Sequence, residues 1–138
     1  MLHRFSLVVE GTSGTDVHDI TREVAEQVAV SGIGDGAVLL FTPGSTAALT
    51  TIEYEPGVVQ DLKDALERIA PRNIPYAHDK AWGDGNGYSH VRAALVRPDF
   101  TVPFENGQLA LGTWQQIVVL DFDNSARRRV VNGYVHAW

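Results

Sequence analysis

The sequence predicts an α+β fold with a largely antiparallel sheet or sandwich and two to three helices, and three observations predict it. Two stretches, ending near Ser31 and Ile69, carry apolar residues at helical spacing. Strand-like runs open the chain and fill its second half, where Asn106-Gly107 is the strongest short hairpin signal available. Strands and helices are unevenly mixed rather than alternating, which argues against a doubly wound parallel sheet. The 138 residues carry no repeat, low-complexity tract or linker, and read as one domain, 1–138.

The elements follow in order. His3 to Glu10 places His3, Phe5, Leu7 and Val9 on one face of a first strand, with Val8 on the other. Gly11 to Val17 reads as a loop. Asp19 or Thr21 can cap a helix to Ser31, with Ile20, Val24 and Val28 on one side and Gly32 and Gly34 at its end. Gly36 to Phe41 is a short buried strand, stopped by Pro43-Gly44. Ser45 to Tyr54, rich in Thr, Ala and Ile, is a further strand. Pro56 suits a first helical position, and Val58, Leu62, Ala65, Leu66 and Ile69 line one side of the helix that follows. Pro71 and Pro75 punctuate its end. Tyr76 to His90 reads as a loop, because Gly83-Asp84-Gly85-Asn86-Gly87 suits no regular element. His90 to Val96 reads as a helical turn or short helix. Phe100–Phe104 and Gln108–Leu111 flank the hairpin turn; Thr113–Asp121 and Arg127–Trp138 are the last strands.

Bulk properties narrow the function. The chain has no cysteine, which excludes disulfide and thiolate chemistry and fits a cytoplasmic protein. The apolar runs are far shorter than the roughly 20 residues of a membrane span, and the first residues do not resemble a signal peptide. A net charge of −6 argues against a general nucleic-acid binder. An anionic small ligand would need a local cationic pocket.

The segment Tyr76–His90 concentrates the chemistry: His78, Asp79, Asp84, Asn86 and His90 lie within it. Imidazoles with a carboxylate can hold a metal with an open position or serve as acid and base. The spacing matches no zinc-finger or zincin pattern, and the same residues would also serve as a solvated polar turn. Elsewhere, Gly44-Ser45-Thr46 brings small hydroxyl residues behind a glycine, either to approach an anion or simply to turn the chain. Glu53 and Glu55 would share one face of a strand, as a metal or base pair or as a solvated edge. Gly112-Thr113-Trp114-Gln115-Gln116 sets a Trp beside two amides, which can pack a ring and hydrogen-bond a polar ligand, or simply places a core tryptophan. In Arg127-Arg128-Arg129, alternation sends Arg128 to the side opposite the other two; guanidinium forks suit phosphate, and exposed strand-edge arginines are the plainer reading.

Together, Gly44-Ser45-Thr46-Ala47-Ala48-Leu49-Thr50, Glu53, His78, Asp84-Gly85-Asn86, Ser89-His90, Pro103, Gly107, Leu111-Gly112-Thr113-Trp114-Gln115 and the late arginines resemble the YjbQ family, over a span from about Arg4 to Val135. The resemblance implies a β-sandwich-like core, a homotrimer and a weak thiamine-phosphate synthase activity, which joins a pyrimidine methyl diphosphate to a thiazole phosphate. The usual enzyme of that reaction is a TIM barrel of about 250 residues, so such an activity here would be convergent. On this reading Glu53, His78, Asp84 and His90 are catalytic, and His78, Asp84 and His90 hold a divalent zinc or magnesium ion. Ser45, Thr46, Asn86, Thr113, Gln115, Arg128 and Arg129 then bind a small phosphorylated metabolite, with Lys80 a further cation nearby. The alternative is a non-catalytic trimer that binds a metal or a small anion. Two positions depart from the family pattern: Gly44 stands where many members have histidine, and Arg97 near where many have glycine.

Overall fold

In the computed structural model, which describes residues 1–11 and 14–138, period-two alternation gives strand β1 (Leu2–Glu10) one packed face, carrying Phe5, Leu7 and Val9. The chain continues through β2 (Asp16–Asp19), α1 (Thr21–Ser31), β3 (Gly36–Phe41), β4 (Ala47–Ile52), α2 (Pro56–Ile69), α3 (Ala77–Trp82), α4 (Gly87–Val96), β5 (Asp99–Glu105), β6 (Gln108–Leu109), β7 (Gln116–Asp121) and β8 (Arg128–Ala137). A five-stranded sheet has the order β1-β8-β3-β5-β6, and a three-stranded sheet the order β2-β7-β4. Their strand pairs are antiparallel. The fold is α+β, with four helices among the described residues.

Two apolar clusters hold three layers together. Between the sheets, Ile117, Val119 and Leu49 of the small sheet meet Val38, Leu40, Val102, Phe104, Val131 and Val135 of the large one, and α1 closes the side with Val24 and Val28. On the small sheet's other face, Val118, Leu120 and Ala48 pack against Leu66 of α2 and Ala93 of α4. Strand β7 is therefore covered on both faces, which is why it reads as a continuous apolar run. Each such side chain contributes roughly 1.5–3 kcal/mol on burial. The run Val118–Leu120 is hidden within one chain, and so gives no reason for a subunit interface; Trp114 and Trp138 remain 71% and 76% exposed.

Several local expectations are corrected. The loop expected over 11–17 yields β2 from Asp16 onward, and its residues 12 and 13 lie outside the described residues. Strand β4 ends at Ile52, so Glu53 and Glu55 share no strand face. Glu55 instead caps α2, accepting from the N–H groups of Gly57 and Val58. Most of 76–90 is helical, because the residues from Ala77 to Trp82 need no glycine and only 83–86 form a loop. Gly83 and Gly85 take up that turn with φ of 66° and 64°. Asp79 Oδ1 accepts from the Gly87 N–H at 2.9 Å, which ties α3 to the first turn of α4. Arg92, 1% exposed, anchors α4 from beneath: it donates to Ala70 O, Thr15 Oγ1 and Glu67 Oε2, and lies 4.9 Å from the Tyr88 ring centre. Among the described residues no helix is long and apolar enough to cross a membrane.

Arg97 ends α4 at φ 92° and ψ 154°, backbone space that favours glycine. The segment is held there by Leu49 N–H donating to Arg97 O and by Thr42 N–H donating to Pro98 O. Among the described residues, the Arg97 side chain makes one ion pair, exposed and with Asp99. Arg97→Gly should therefore stabilise the protein by about 1 kcal/mol. Urea denaturation would check this; a destabilised variant would contradict the strain.

Candidate functional site

A buried ion pair underlies the site. Arg129, entering β8, donates from Nε and Nη2 to the two carboxylate oxygens of Asp121 at the end of β7, at 2.9 and 2.8 Å. Asp121 is fully buried and the Arg129 side chain is 8% exposed. Arg129 Nη2 also donates to Thr46 Oγ1. The Thr46 hydroxyl in turn donates to Asp123 Oδ2 at 2.9 Å. The same Asp123 oxygen accepts from Asn86 Nδ2 at 3.2 Å and Arg127 Nε at 2.7 Å, while Oδ1 accepts from the Ser125 N–H. Asn86 Oδ1 accepts from Ser89 Oγ at 2.7 Å and from the Asn124 N–H. One polar network thus joins the ends of β4, β7 and β8 to the start of α4.

Over this network opens a cavity of roughly 360 Å³, lined by Ser45, Thr46, Asp84, Asn86, His90, Asp123, Arg127 and Arg129 along with Pro43 and Gly44. At its edge His78 of α3 faces His90 of α4, with ring centres 4.3 Å apart and planes tilted by 37°. His78 Nδ1 lies 3.5 Å from Asp84 Oδ1 and 3.7 Å from Asp79 Oδ1. It is buried without a hydrogen-bond partner among the described residues. Those separations are too long for hydrogen bonds. They suit ligands sharing one ion, because atoms each about 2.1 Å from a tetrahedral metal lie about 3.4 Å apart. Ligand atoms of His78, Asp79 and Asp84 all fall within 4.8 Å of one another. The donor set therefore fits a divalent cation, with Asp79 beside His78 and Asp84, and with His90 standing against the His78 ring rather than in that set.

Burial, and then the neighbouring His78, hold the His90 imidazole below its ordinary pKa. It is neutral at pH 7, as a metal ligand or a general base must be. The charges are also informative: among the described residues, Arg127 and Arg129 at the cavity are already paired with Asp123 and Asp121, while Asp79 and Asp84 stand beside His78. An anion would meet net negative charge unless a divalent cation bound with it.

The structure brings together Ser45, Thr46, Asp84, Asn86, His90 and Arg129, with His78 alongside. It does not bring Glu53, Thr113, Gln115 or Arg128 to them within one chain. Glu53 follows the far end of β4, about 23 Å from Thr46 at the rise of an extended strand. Thr113 and Gln115 are near that far end, where Gln116 pairs with Ile52 and accepts from the Tyr54 N–H. Arg128 points to the other side of β8, opposite Glu10, as alternation requires. Lys80 is exposed on α3 and does not line the cavity. The sequence points to Asp79 only as part of the polar segment and to Arg127 only as part of the arginine run, and it does not point to Asp123. The parity that excludes Arg128 points to Arg127, but nothing in Asp123-Asn124-Ser125 distinguishes it from an ordinary turn.

A family model described as "UPF0047 protein YjbQ-like" matches residues 5–136. A UPF0047 protein of Archaeoglobus fulgidus is 38% identical over 125 residues, 91% of this chain and 95% of that protein. YugU of Bacillus subtilis, also a UPF0047 protein, is 33% identical over 125 residues, 89% of this chain and 92% of that one. Among solved structures, a YbjQ-like protein of unknown function from Sulfolobus solfataricus superposes with a TM-score of 0.95 at 25% identity, covering 100% of this chain and 99% of its own. An uncharacterised protein of the yjbq/upf0047 family from Clostridium acetobutylicum gives 0.87 at 31% identity, over 96% and 99%.

Burial pushes the Asp123 carboxyl up, but hydrogen bonds from Arg127, Ser125, Thr46 and Asn86 outweigh it and hold the group below its ordinary value. A carboxyl lowered in the folded state contributes stability that is present above its unfolded pKa and lost as pH falls through the folded one. Asp123→Asn should thus cost about 1–3 kcal/mol at neutral pH. The gap to wild type should narrow as pH drops below about 4. Urea melts across that range would show it, and a gap independent of pH would contradict it.

Proposed function

The chain belongs to the YjbQ-like UPF0047 family, and we propose that its cavity binds a divalent zinc or magnesium ion at His78, Asp84 and Asp79 and carries out a metal-assisted transfer on a phosphorylated small molecule. The observation that carries this reading is His78 Nδ1, buried without a partner among the described residues and facing two carboxylates. Formation of thiamine phosphate is the leading candidate reaction. A divalent ion supplies charge stabilisation to a departing pyrophosphate. The chain's own residues supply the rest. Arg127 and Arg129 hold phosphate oxygens from the cavity floor, and Ser45 offers a hydroxyl at the mouth. Neutral His90 accepts or returns a proton beside the reacting group. Asn86 and Thr46 fix Asp123, and so the orientation of Arg127. Glu53, Thr113 and Gln115 take no part within one chain.

A second reading keeps the ion or anion and drops the turnover: the protein binds and does not transform. The pairing of both arginines with buried carboxylates favours it, since a rigid paired floor also suits passive retention. The assembly proposed is a homotrimer, supported by the resemblance to the YjbQ family and by the exposed Trp114 and Trp138. Light scattering should then give about 45 kDa, three times the 15.1 kDa chain; a monomer mass at micromolar concentration would overturn it.

Metal analysis of purified wild type and His78→Ala tests the ion, which should fall to background in the variant. Assays with the two phosphorylated precursors test the chemistry. His90→Ala should lower the rate about 10²- to 10⁴-fold. If the two proteins turn over equally, the activity does not come from this site and the binding reading takes its place.

A further inference from the structure

Strand β1 closes one side of the large sheet, and no strand among the described residues pairs with its outer edge. The other sheet edges are shorter or partly covered. Strand β6 has two residues and β2 has four. The edge of β4 is closed in part where the Leu49 N–H donates to Arg97 O. Strand β1 pairs with β8 at 9 consecutive positions, Leu2 to Glu10, so it carries no bulge. It also holds no proline, glycine or lysine. Those are the usual devices that blunt an edge, and without them β1 is a template for another strand.

The hydrogen-bond parity of this edge is set from both ends. The Gly11 N–H donates to Arg127 O, and Met1 O accepts from the Ala137 N–H. Odd positions of β1 therefore bond towards β8, and Leu2, Arg4, Ser6, Val8 and Glu10 turn their N–H and C=O groups to the open side. On the core side Phe5, Leu7 and Val9 are half-buried, with their outer flanks uncovered. A cavity of roughly 320 Å³ adjoins the edge, lined by Leu7, Val8 and Val9 and by His18, Ile20 and Glu23. The charges are separated along the strand. Arg4 makes no ion pair among the described residues, and Glu10 lies 3.9 Å from Arg128 with both side chains exposed.

We propose that β1 pairs antiparallel with β1 of a second copy of this chain, about a two-fold axis at Leu7, joining two large sheets into one. That register sets Arg4 opposite Glu10 and Ser6 opposite Val8 as hydrogen-bonded pairs, so each end of the contact carries an ion pair. Leu7 meets its own copy in a closer, non-hydrogen-bonded pair, and Phe5 faces Val9 on the core side. Moving the axis to Ser6 would put Arg4 opposite Val8, and moving it to Val8 would put Glu10 opposite Ser6. Neither matches the charges. The contact is isologous, so it closes as a discrete pair and leaves no further edge to extend. Being one strand wide, it falls below the roughly 1,200 Å² of a stable interface, and it forms at sub-millimolar rather than micromolar concentration. It depends on neither the ligand of the cavity nor the trimer.

The test uses the absence of cysteine from the chain. Ser6→Cys, Leu7→Cys and Val8→Cys are oxidised separately at sub-millimolar concentration, and disulfide-linked dimer is read on a non-reducing gel. Leu7→Cys should cross-link about tenfold faster than the other two, because position 7 alone faces itself, with Cα atoms about 4.5 Å apart. Adding Arg4→Glu to Leu7→Cys should suppress the cross-link, and adding Glu10→Arg as well should restore it. Arg4 and Glu10 are exposed, so these changes leave the fold intact. Light scattering at the same concentration gives a reading without cysteine: wild type should be heavier than Arg4→Glu. Equal cross-linking at all three positions, a cross-link indifferent to Arg4→Glu, or equal masses for wild type and Arg4→Glu would overturn the pairing.

Discussion

The rest of the site depends on the buried pair of Asp121 and Arg129. Two charges removed from water at the end of a strand are costly unless fully paired, and here each carboxylate oxygen meets a guanidinium nitrogen. The pair fixes where β7 and β8 end relative to one another. It leaves Arg129 with capacity for Thr46, and through Thr46 the constraint passes to Asp123, Asn86 and the start of α4. Breaking such a pair from one side strands a buried charge, typically at about 3–5 kcal/mol. An exposed pair such as Arg128 with Glu10 contributes far less. This buried pair lies under the cavity, where it sets the positions of several side chains at once.

The layered core explains why the site sits where it does. The small sheet is packed on both faces, against the large sheet and against α2 and α4. Only the strand ends are then free to present polar side chains. At one end, β4 begins with Thr46 and Ala47, and α4 crosses above it with His90, Ala93 and Ala94. Arg92 and its bonds to α2 keep α4 at that height. At the other end lie Glu53 and the turn with Trp114. One sheet therefore carries two polar clusters of different character, separated by the length of its strands.

Much of this was legible in the sequence. The helices ending at Ser31 and Ile69, the Asn106-Gly107 hairpin and the outer strands follow from apolar period and turn chemistry, and the structure bears them out. The concentration of His78, Asp84, Asn86 and His90 was visible from spacing alone. Two kinds of feature were not. The glycines of 83–87 overstated the loop, because glycine's entropic cost acts only where it stands and the residues before it form α3. Partners distant in sequence were also hidden. Asp123 reads as a turn residue until β7 and β8 bring it against Thr46 and Asn86, and Asp121 reads as the end of an apolar run until Arg129 arrives from β8. The YjbQ-like pattern pointed to Glu53 and Thr113-Trp114-Gln115 as members of one site, but a sequence pattern carries no distance, and a single chain keeps them at the sheet's far end.

The central claim is that this network supports a metal position at the mouth of the cavity. The most direct measurement is an anomalous difference map, collected at the zinc absorption edge from crystals grown with zinc. The account predicts one strong peak about 2.1 Å from His78 Nδ1 and within coordination distance of Asp84 and Asp79. A map with no peak at His78, or with zinc bound only elsewhere on the surface, would contradict it.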